Sequence, residues 1–120
     1  MSYGTIQALK AQGLNGKVFV SGEDGEPEML KLILKGDAYV TAWTKFDEMG
    51  VRSAELLYAA LAKKPSDAPT TVDNGSGSPI PWFKIGIVNV TKDGKAPNAI
   101  SVAQFAKENP WWVTEKELGL

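Results

Sequence analysis

The sequence predicts an α/β fold, in which a parallel sheet is flanked by helices. Helix-like apolar spacing alternates with short β-branched runs, and glycines or prolines stand where one type of segment passes into the next. The predicted order is α-β-α-β-α, then a long connection, a strand and a short helix. Such alternation is typical of parallel strands joined by right-handed helical crossovers. At 120 residues, the chain has the length of about one domain.

Local signals place each of the first five elements. In chain order these are a helix over Tyr3–Gln12, a strand over Lys17–Ser21, a helix over Pro27–Lys35, a strand over Ala38–Trp43 and a helix ending at Lys63–Pro65. Pro27 suits a first helical turn, where its missing N–H costs nothing, and Gly36 suits the left-handed residue after a helix. Thr44 or Asp47 is the candidate N-cap of the third helix. These signals act over a few residues, so they predict the ends of the elements.

The second half of the chain has weaker periodicity. Residues 65–81 are rich in Pro, Ser, Gly and Asp, which predicts a long surface connection. The β-branched run Trp82–Val90 predicts a strand, Asp93-Gly94 predicts a turn, and the final helix is expected over Ile100–Lys107.

Composition excludes several functions. Thirteen basic residues against fourteen acidic ones give a net charge of −1, which lacks the basic excess that nucleic-acid binding requires. With no cysteine and no histidine, the chain has no disulfide, no thiolate nucleophile and no Ser-His-Asp or HExxH centre. We therefore expect no enzyme activity and no cofactor. No apolar run approaches the ~20 residues that span a bilayer and no signal peptide is visible, so membrane insertion is not expected.

The candidate site is the loop Gly22-Glu23-Asp24-Gly25, between the first strand and the second helix. Acids at the carboxyl end of a strand in an α/β fold lie where such folds bind ligands. The alternative is that Asp24 only caps the second helix. The acids around it lack the spacing of a calcium loop, so no metal site is expected.

The ordered series of elements resembles the type I periplasmic sugar-binding proteins, the ribose-, xylose- and galactose-binding group that feeds ABC transporters. The resemblance rests on a helix with a Gly stop, a strand ending Gly-x-Asp-Gly with Pro-Glu opening a helix, a Lys-Gly, a further strand, Met49-Gly50 opening a helix, and the closing segment "IVNVTKD". It implies a partial, Rossmann-like periplasmic binding fold. It also implies a monosaccharide ligand, membrane subunits of an ABC transporter as partners, and a periplasmic location.

The resemblance implies three sugar-binding residues. In the family, the aspartate of the Gly-x-Asp-Gly loop accepts hydrogen bonds from sugar hydroxyls, which would make Asp24 the ligand. The family also has a polar residue at the end of the next strand, where Thr44 or Trp43 stands depending on the direction of counting. Trp43 could stack on a sugar face or pack in the core or hinge, whereas packing is expected of Trp82, Trp111 and Trp112.

The family's chains are much longer, with two lobes and an Asn-Asp ligand pair just before the position of Met1. The resemblance therefore implies that residues 1–120 are a single partial domain, a C-terminal fragment that does not bind sugar tightly alone. Exposed apolar surface and strand edges then favour a homo-oligomer. One alternative is an oligomerising α/β fragment that binds no sugar. Another is a receiver-like signalling domain, although Trp43 stands where its phospho-accepting Asp should be.

Overall fold

The computed structural model describes residues 2–120. Its elements, in chain order, are α1 (Ser2–Ala11), β1 (Ser21–Glu23), α2 (Pro27–Lys35), β2 (Val40–Thr44), α3 (Phe46–Leu61), β3 (Thr70–Val72), β4 (Ile80–Trp82), β5 (Ile87–Thr91), β6 (Ala99–Ser101), α4 (Val102–Glu108) and α5 (Glu115–Leu118). They form two compact units. The residues up to Trp43 together with Ile87–Leu120 make one unit, and Thr44–Gly86 make the other.

The first unit contains a four-stranded sheet in the order β1-β2-β5-β6. β1 and β2 are parallel, with Ser21 opposite Val40, and β5 and β6 are parallel, with Val90 opposite Ile100. This arrangement confirms the predicted α/β fold with a parallel sheet. The largest fully buried side chains come from both its strands and its helices: Ile6, Leu30, Ile33, Thr41, Val90, Val102, Phe105 and Val113.

Helix α2 has the predicted bounds, with Pro27 at its start. Gly36 follows it with φ 83°, and the N–H groups of Gly36 and Asp37 donate to the carbonyl oxygens of Ile33 and Leu32. These bonds satisfy carbonyls that the helix end would otherwise leave unpaired. The N-cap residue is Glu26, and no side chain forms a cap hydrogen bond there. Asp24 therefore does not cap α2, contrary to the alternative interpretation of this residue.

The second unit contains α3 and a hairpin of β3 and β4. The N-cap of α3 is Lys45, without a side-chain cap bond, so the expectation of a Thr44 or Asp47 cap was wrong. The hairpin occupies most of residues 65–81, which were expected to be a long connection, and extends to Trp82; its strands are antiparallel with Thr70 opposite Trp82. Asp73, Asn74 and Gly75 are residue types that favour turns. In the structure the Gly75 N–H donates to Asp73 Oδ1 at 2.8 Å, an arrangement typical of Asx turns.

Several element boundaries differ from the predictions. The run Trp82–Val90 is not one strand, because β4 ends at Trp82 and β5 begins at Ile87, in the other unit. β1 begins at Ser21, where its pairing with β2 starts, rather than at the predicted Lys17. The predicted helix over Ile100–Lys107 begins at Val102, after Ser101, whose Oγ accepts from the Gln104 N–H at 3.1 Å. The short elements β6 and α5 were not predicted.

A partly buried ion pair connects α1 to the end of α2. Lys10 Nζ lies 2.7 Å from Asp37 Oδ2, and Asn15 Nδ2 donates to Asp37 Oδ1 at 2.9 Å. The Asp37 side chain is 10% exposed. The hydrogen bonds from Lys10 and then Asn15 lower the pKa of Asp37 below its ordinary value. In the folded protein this carboxylate therefore holds its proton less tightly than in the unfolded chain.

We expect Asp37→Asn to lower the free energy of unfolding at pH 7 by about 1–2 kcal/mol, because it removes a charged acceptor from a partly exposed pair. Since the folded pKa is depressed, the contribution is complete above the unfolded pKa of ~3.9 and is lost as pH falls through the folded pKa. Urea unfolding should thus separate the two proteins at pH 7 and bring them together at about pH 2.

Asp93→Asn is the matched control. The pKa of Asp93 is also lowered, chiefly by its hydrogen bond with the Lys95 side chain, but both side chains are largely exposed. We expect little measurable change in the stability of this variant, because water and salt screen exposed pairs. Equal losses in the Asp37 and Asp93 variants would contradict the structural role of Asp37.

Candidate functional site

The loop after β1 places Asp24 at the carboxyl end of that strand. Asp24 has φ 69° and Gly25 has φ 59°, so two successive residues adopt the left-handed conformation. The Asp24 N–H donates to the Ala42 carbonyl in β2 at 2.8 Å, and the Gly25 N–H donates to Thr41 Oγ1 at 3.1 Å. Asp24 is exposed, whereas Gly25 is buried. The backbone of the loop is thus fixed to the sheet while the Asp24 side chain remains accessible.

A cavity of about 220 Å³ lies at this loop. Its lining combines the start of α1, the loop after β1 and the start of α2, and consists of Ser2, Tyr3, Glu23, Asp24, Glu26 and Met29. Ser2 Oγ donates to the Ser21 carbonyl at 2.7 Å, which holds the start of α1 against β1. The cavity is therefore lined by carboxylates and a phenol. These groups can accept hydrogen bonds from a polyhydroxylated molecule, and the phenol can also donate one.

Tyr3 is a polar group that the sequence interpretation did not include in the site. The sequence predicts Tyr3 only as the first residue of the first helix, and nothing local marks it as part of a site. Its hydroxyl oxygen is buried and has no hydrogen-bond partner among residues 2–120. Burial raises the pKa of Tyr3, and the nearby carboxylates of Glu28 and Glu26 raise it further. The phenol consequently keeps its proton at neutral pH and can donate a hydrogen bond to a ligand oxygen.

Trp43 does not line this cavity. Its side chain is 3% exposed and belongs to an aromatic cluster, with ring centroids 5.0 Å from Phe105, 5.2 Å from Trp112 and 6.2 Å from Trp111. The contact with Phe105 is edge-to-face, a favourable geometry for aromatic rings. This burial favours the packing interpretation of Trp43 over stacking on a sugar. Thr44 is the last residue of β2 and the first residue of the other compact unit.

The described residues include no group of three or more His, Cys, Asp or Glu side chains that could hold a metal ion. Within residues 2–120, no helix is both long and apolar enough to cross a membrane.

Parallel strands, flanking helices and a polar cavity at a strand end are together the features of a small-molecule binding module. Residues 1–65 match the model of the periplasmic binding protein domain, and the chain belongs to that family. The resemblance inferred from the sequence is confirmed at the level of the family.

Two curated relatives carry the same name. The chain is 33% identical over 106 residues to the D-xylose-binding periplasmic protein of Haemophilus influenzae. The aligned region covers 88% of this chain and 32% of the relative. The chain is also 36% identical over 72 residues to the D-xylose-binding periplasmic protein of Escherichia coli. This aligned region covers 60% of this chain and 22% of the relative. The matched parts therefore span a third or less of the length of these relatives.

Proposed function

We propose that this chain is part of a periplasmic receptor that binds a monosaccharide, without catalysis, for an ABC transporter. The observation that carries the proposal is the accessible Asp24 carboxylate in a polar cavity at the end of β1. The names of the two relatives make a pentose such as D-xylose the first candidate ligand. Membrane subunits of the transporter would be the protein partners.

The proposed chemistry uses the two oxygens of Asp24. A carboxylate can accept hydrogen bonds from two adjacent sugar hydroxyls, each contributing about 1.5–3 kcal/mol. The Tyr3 hydroxyl, which has no partner in the described part of the chain, would supply a donor or acceptor to a third sugar oxygen. Vicinal hydroxyls are therefore the feature of the ligand that this cavity recognises.

We also propose that this segment is the C-terminal part of a longer receptor, and that it binds sugar weakly alone. Binding proteins of this kind close two lobes around the ligand, so that most of the ligand surface is buried. The cavity at Asp24 offers one wall of six residues. We expect the isolated chain to bind D-xylose no more tightly than ~1 mM, near −4 kcal/mol.

The test compares the isolated chain with a receptor of full length that carries this segment, by calorimetric titration with D-xylose, D-ribose and D-galactose. Micromolar binding to the longer protein and weak binding to the isolated chain is the expected result. The absence of sugar binding in the longer protein would refute the receptor function. Micromolar binding to the isolated chain would refute only the statement that it is insufficient alone.

The exposed apolar face of α3 favours a second candidate, a self-associating α/β segment that binds no sugar. Leu57 and Leu61 are one helical turn apart and are 61% and 76% exposed, and Val51 nearer the start of α3 is 56% exposed. Exposed apolar faces of this kind are typical of interaction surfaces. The receiver-like alternative is not favoured, because the buried Trp43 replaces the acid that phosphorylation would require.

We expect the isolated chain to form a dimer or larger species at micromolar concentration, and Leu57→Glu with Leu61→Glu to shift it to monomer. Desolvating two carboxylates in an apolar contact is costly, so the double variant should not associate. Sedimentation velocity measures the oligomeric state of the wild-type chain and of the double variant. A wild-type chain that sediments as a single monomer would contradict self-association.

A further inference from the structure

Trp112 is the residue that connects the C-terminal tail to the loop carrying Asp24. Its indole Nε1–H donates to the Gly25 carbonyl at 2.9 Å, across 87 residues of sequence. The loop is thus fixed on three sides by the bonds to Ala42, Thr41 and Trp112. Two of these come from β2 and act on backbone N–H groups. The Trp112 bond comes from outside the sheet. Of the three bonds, it is the one in which a carbonyl of the loop, that of Gly25, is the acceptor.

The tail that carries Trp112 is itself held in place. The Trp112 N–H donates to the Asn109 carbonyl at 2.9 Å, and Val113 is 1% exposed. Thr114 and Glu117 then form a reciprocal capping box at the start of α5, which fixes the direction of the chain. The indole also lies 5.2 Å from the Trp43 ring in the aromatic cluster. The donor therefore reaches Gly25 from a rigid support.

We infer that Trp112 is a positioning residue, which holds the Asp24-Gly25 loop in the conformation that presents the Asp24 carboxylate to the cavity. Asp24 has φ 69°, a left-handed conformation that aspartate tolerates better than most residues but that is still uncommon, so the contacts of the loop help to stabilise it. Without the Trp112 bond, the Gly25 carbonyl would lose a partly buried donor, and the loop would sample other conformations. The consequence for sugar rests on the proposed receptor function, whereas the effect on the loop does not.

The experiment measures amide hydrogen exchange in the whole 120-residue chain by NMR, with no sugar present. Trp112→Phe keeps an aromatic ring in the cluster but removes the indole donor. Trp111→Phe is the matched control, because Trp111 belongs to the same cluster and is 56% exposed. We expect the amides of Asp24 and Gly25 to exchange about 2- to 12-fold faster in the Trp112 variant, the range that corresponds to one neutral hydrogen bond. Exchange at these amides should not change in the Trp111 variant.

Unchanged exchange at Asp24 and Gly25 in Trp112→Phe would overturn the inference. If Trp112→Phe lowers the unfolding midpoint of the whole chain, the exchange measurement is repeated with Trp112 replaced by β-(3-benzothienyl)alanine. In this residue sulphur replaces the N–H while the shape of the ring system is preserved, so a change in exchange reports the lost donor alone. In a receptor of full length carrying this segment, the same replacement should weaken D-xylose binding about 2- to 12-fold. Faster loop exchange in a receptor that binds no sugar would remove the proposed function and leave the role of Trp112 in the loop intact.

Discussion

Asp24→Ala is expected to weaken sugar binding by about 2–5 kcal/mol in a receptor of full length that carries this segment. In the proposed receptor, the substitution would remove an acceptor for two sugar hydroxyls and leave them without acceptors in the closed cleft. Because the Asp24 backbone N–H still donates to Ala42, the loop should keep its conformation. Isothermal titration calorimetry with D-xylose measures the loss, which corresponds to a decrease in affinity of roughly 30-fold or more.

Glu23→Ala is the control for Asp24. Glu23 also lines the cavity and carries the same charge, but it is the last residue of β1, before the left-handed turn. A general loss of negative charge would weaken binding equally in both variants, whereas a direct ligand role predicts a much larger loss at Asp24. Unchanged affinity in Asp24→Ala would remove this residue from the binding site.

Gly25→Ala is expected to lower the free energy of unfolding of the first unit by about 2–5 kcal/mol, the sum of about 1–2 kcal/mol of left-handed backbone strain and about 1–3 kcal/mol of overpacking. Gly25 has φ 59°, and a Cβ at this residue would lie 2.9 Å from Trp43 Cε3 and 3.2 Å from Phe105 Cζ. Trp43 is 3% exposed and Phe105 is fully buried, so neither ring can move without disturbing the aromatic cluster. Urea unfolding followed by tryptophan fluorescence reports chiefly on this unit, because three of the four tryptophans, Trp43, Trp111 and Trp112, lie within it. Trp82 in the other unit is replaced by Phe in both the reference protein and the variant.

Gly36→Ala separates the two causes. Gly36 has φ 83°, and a Cβ there would meet no heavy atom within 4 Å. This variant therefore has the left-handed strain without the steric conflict, and we expect a loss of about 1–2 kcal/mol. Equal losses at Gly25 and Gly36 would mean that the rings of Trp43 and Phe105 adapt to the added methyl group.

Much of the architecture of the first unit could be predicted from local signals. The bounds of α2 follow from Pro27 and Gly36, and α1 lies within one residue of its predicted bounds because its apolar spacing ends at a glycine. The prediction failed where an element depends on a partner. Val18 and Phe19 have strong β propensity, yet they precede β1, since the parallel ladder with β2 begins only at Ser21. β6 has three residues, too few to show a period, and is defined by its pairing with β5.

For the candidate site, the loop and its acid could be predicted from residues that are neighbours in the chain. Asp24 and Gly25, between a strand and a proline, predict a tight turn at the carboxyl end of the strand, because aspartate and glycine tolerate the left-handed conformation. Gly22 belongs to β1 and is not among the residues with positive φ. The tertiary structure alone decided what surrounds that loop. Tyr3 reaches the cavity from α1, Trp43 is turned into the aromatic cluster, and Trp112 bonds to Gly25 from 87 residues away. Capping and turn signals act through neighbours within a few residues, whereas these contacts depend on how helices and strands pack, and no local pattern encodes that packing.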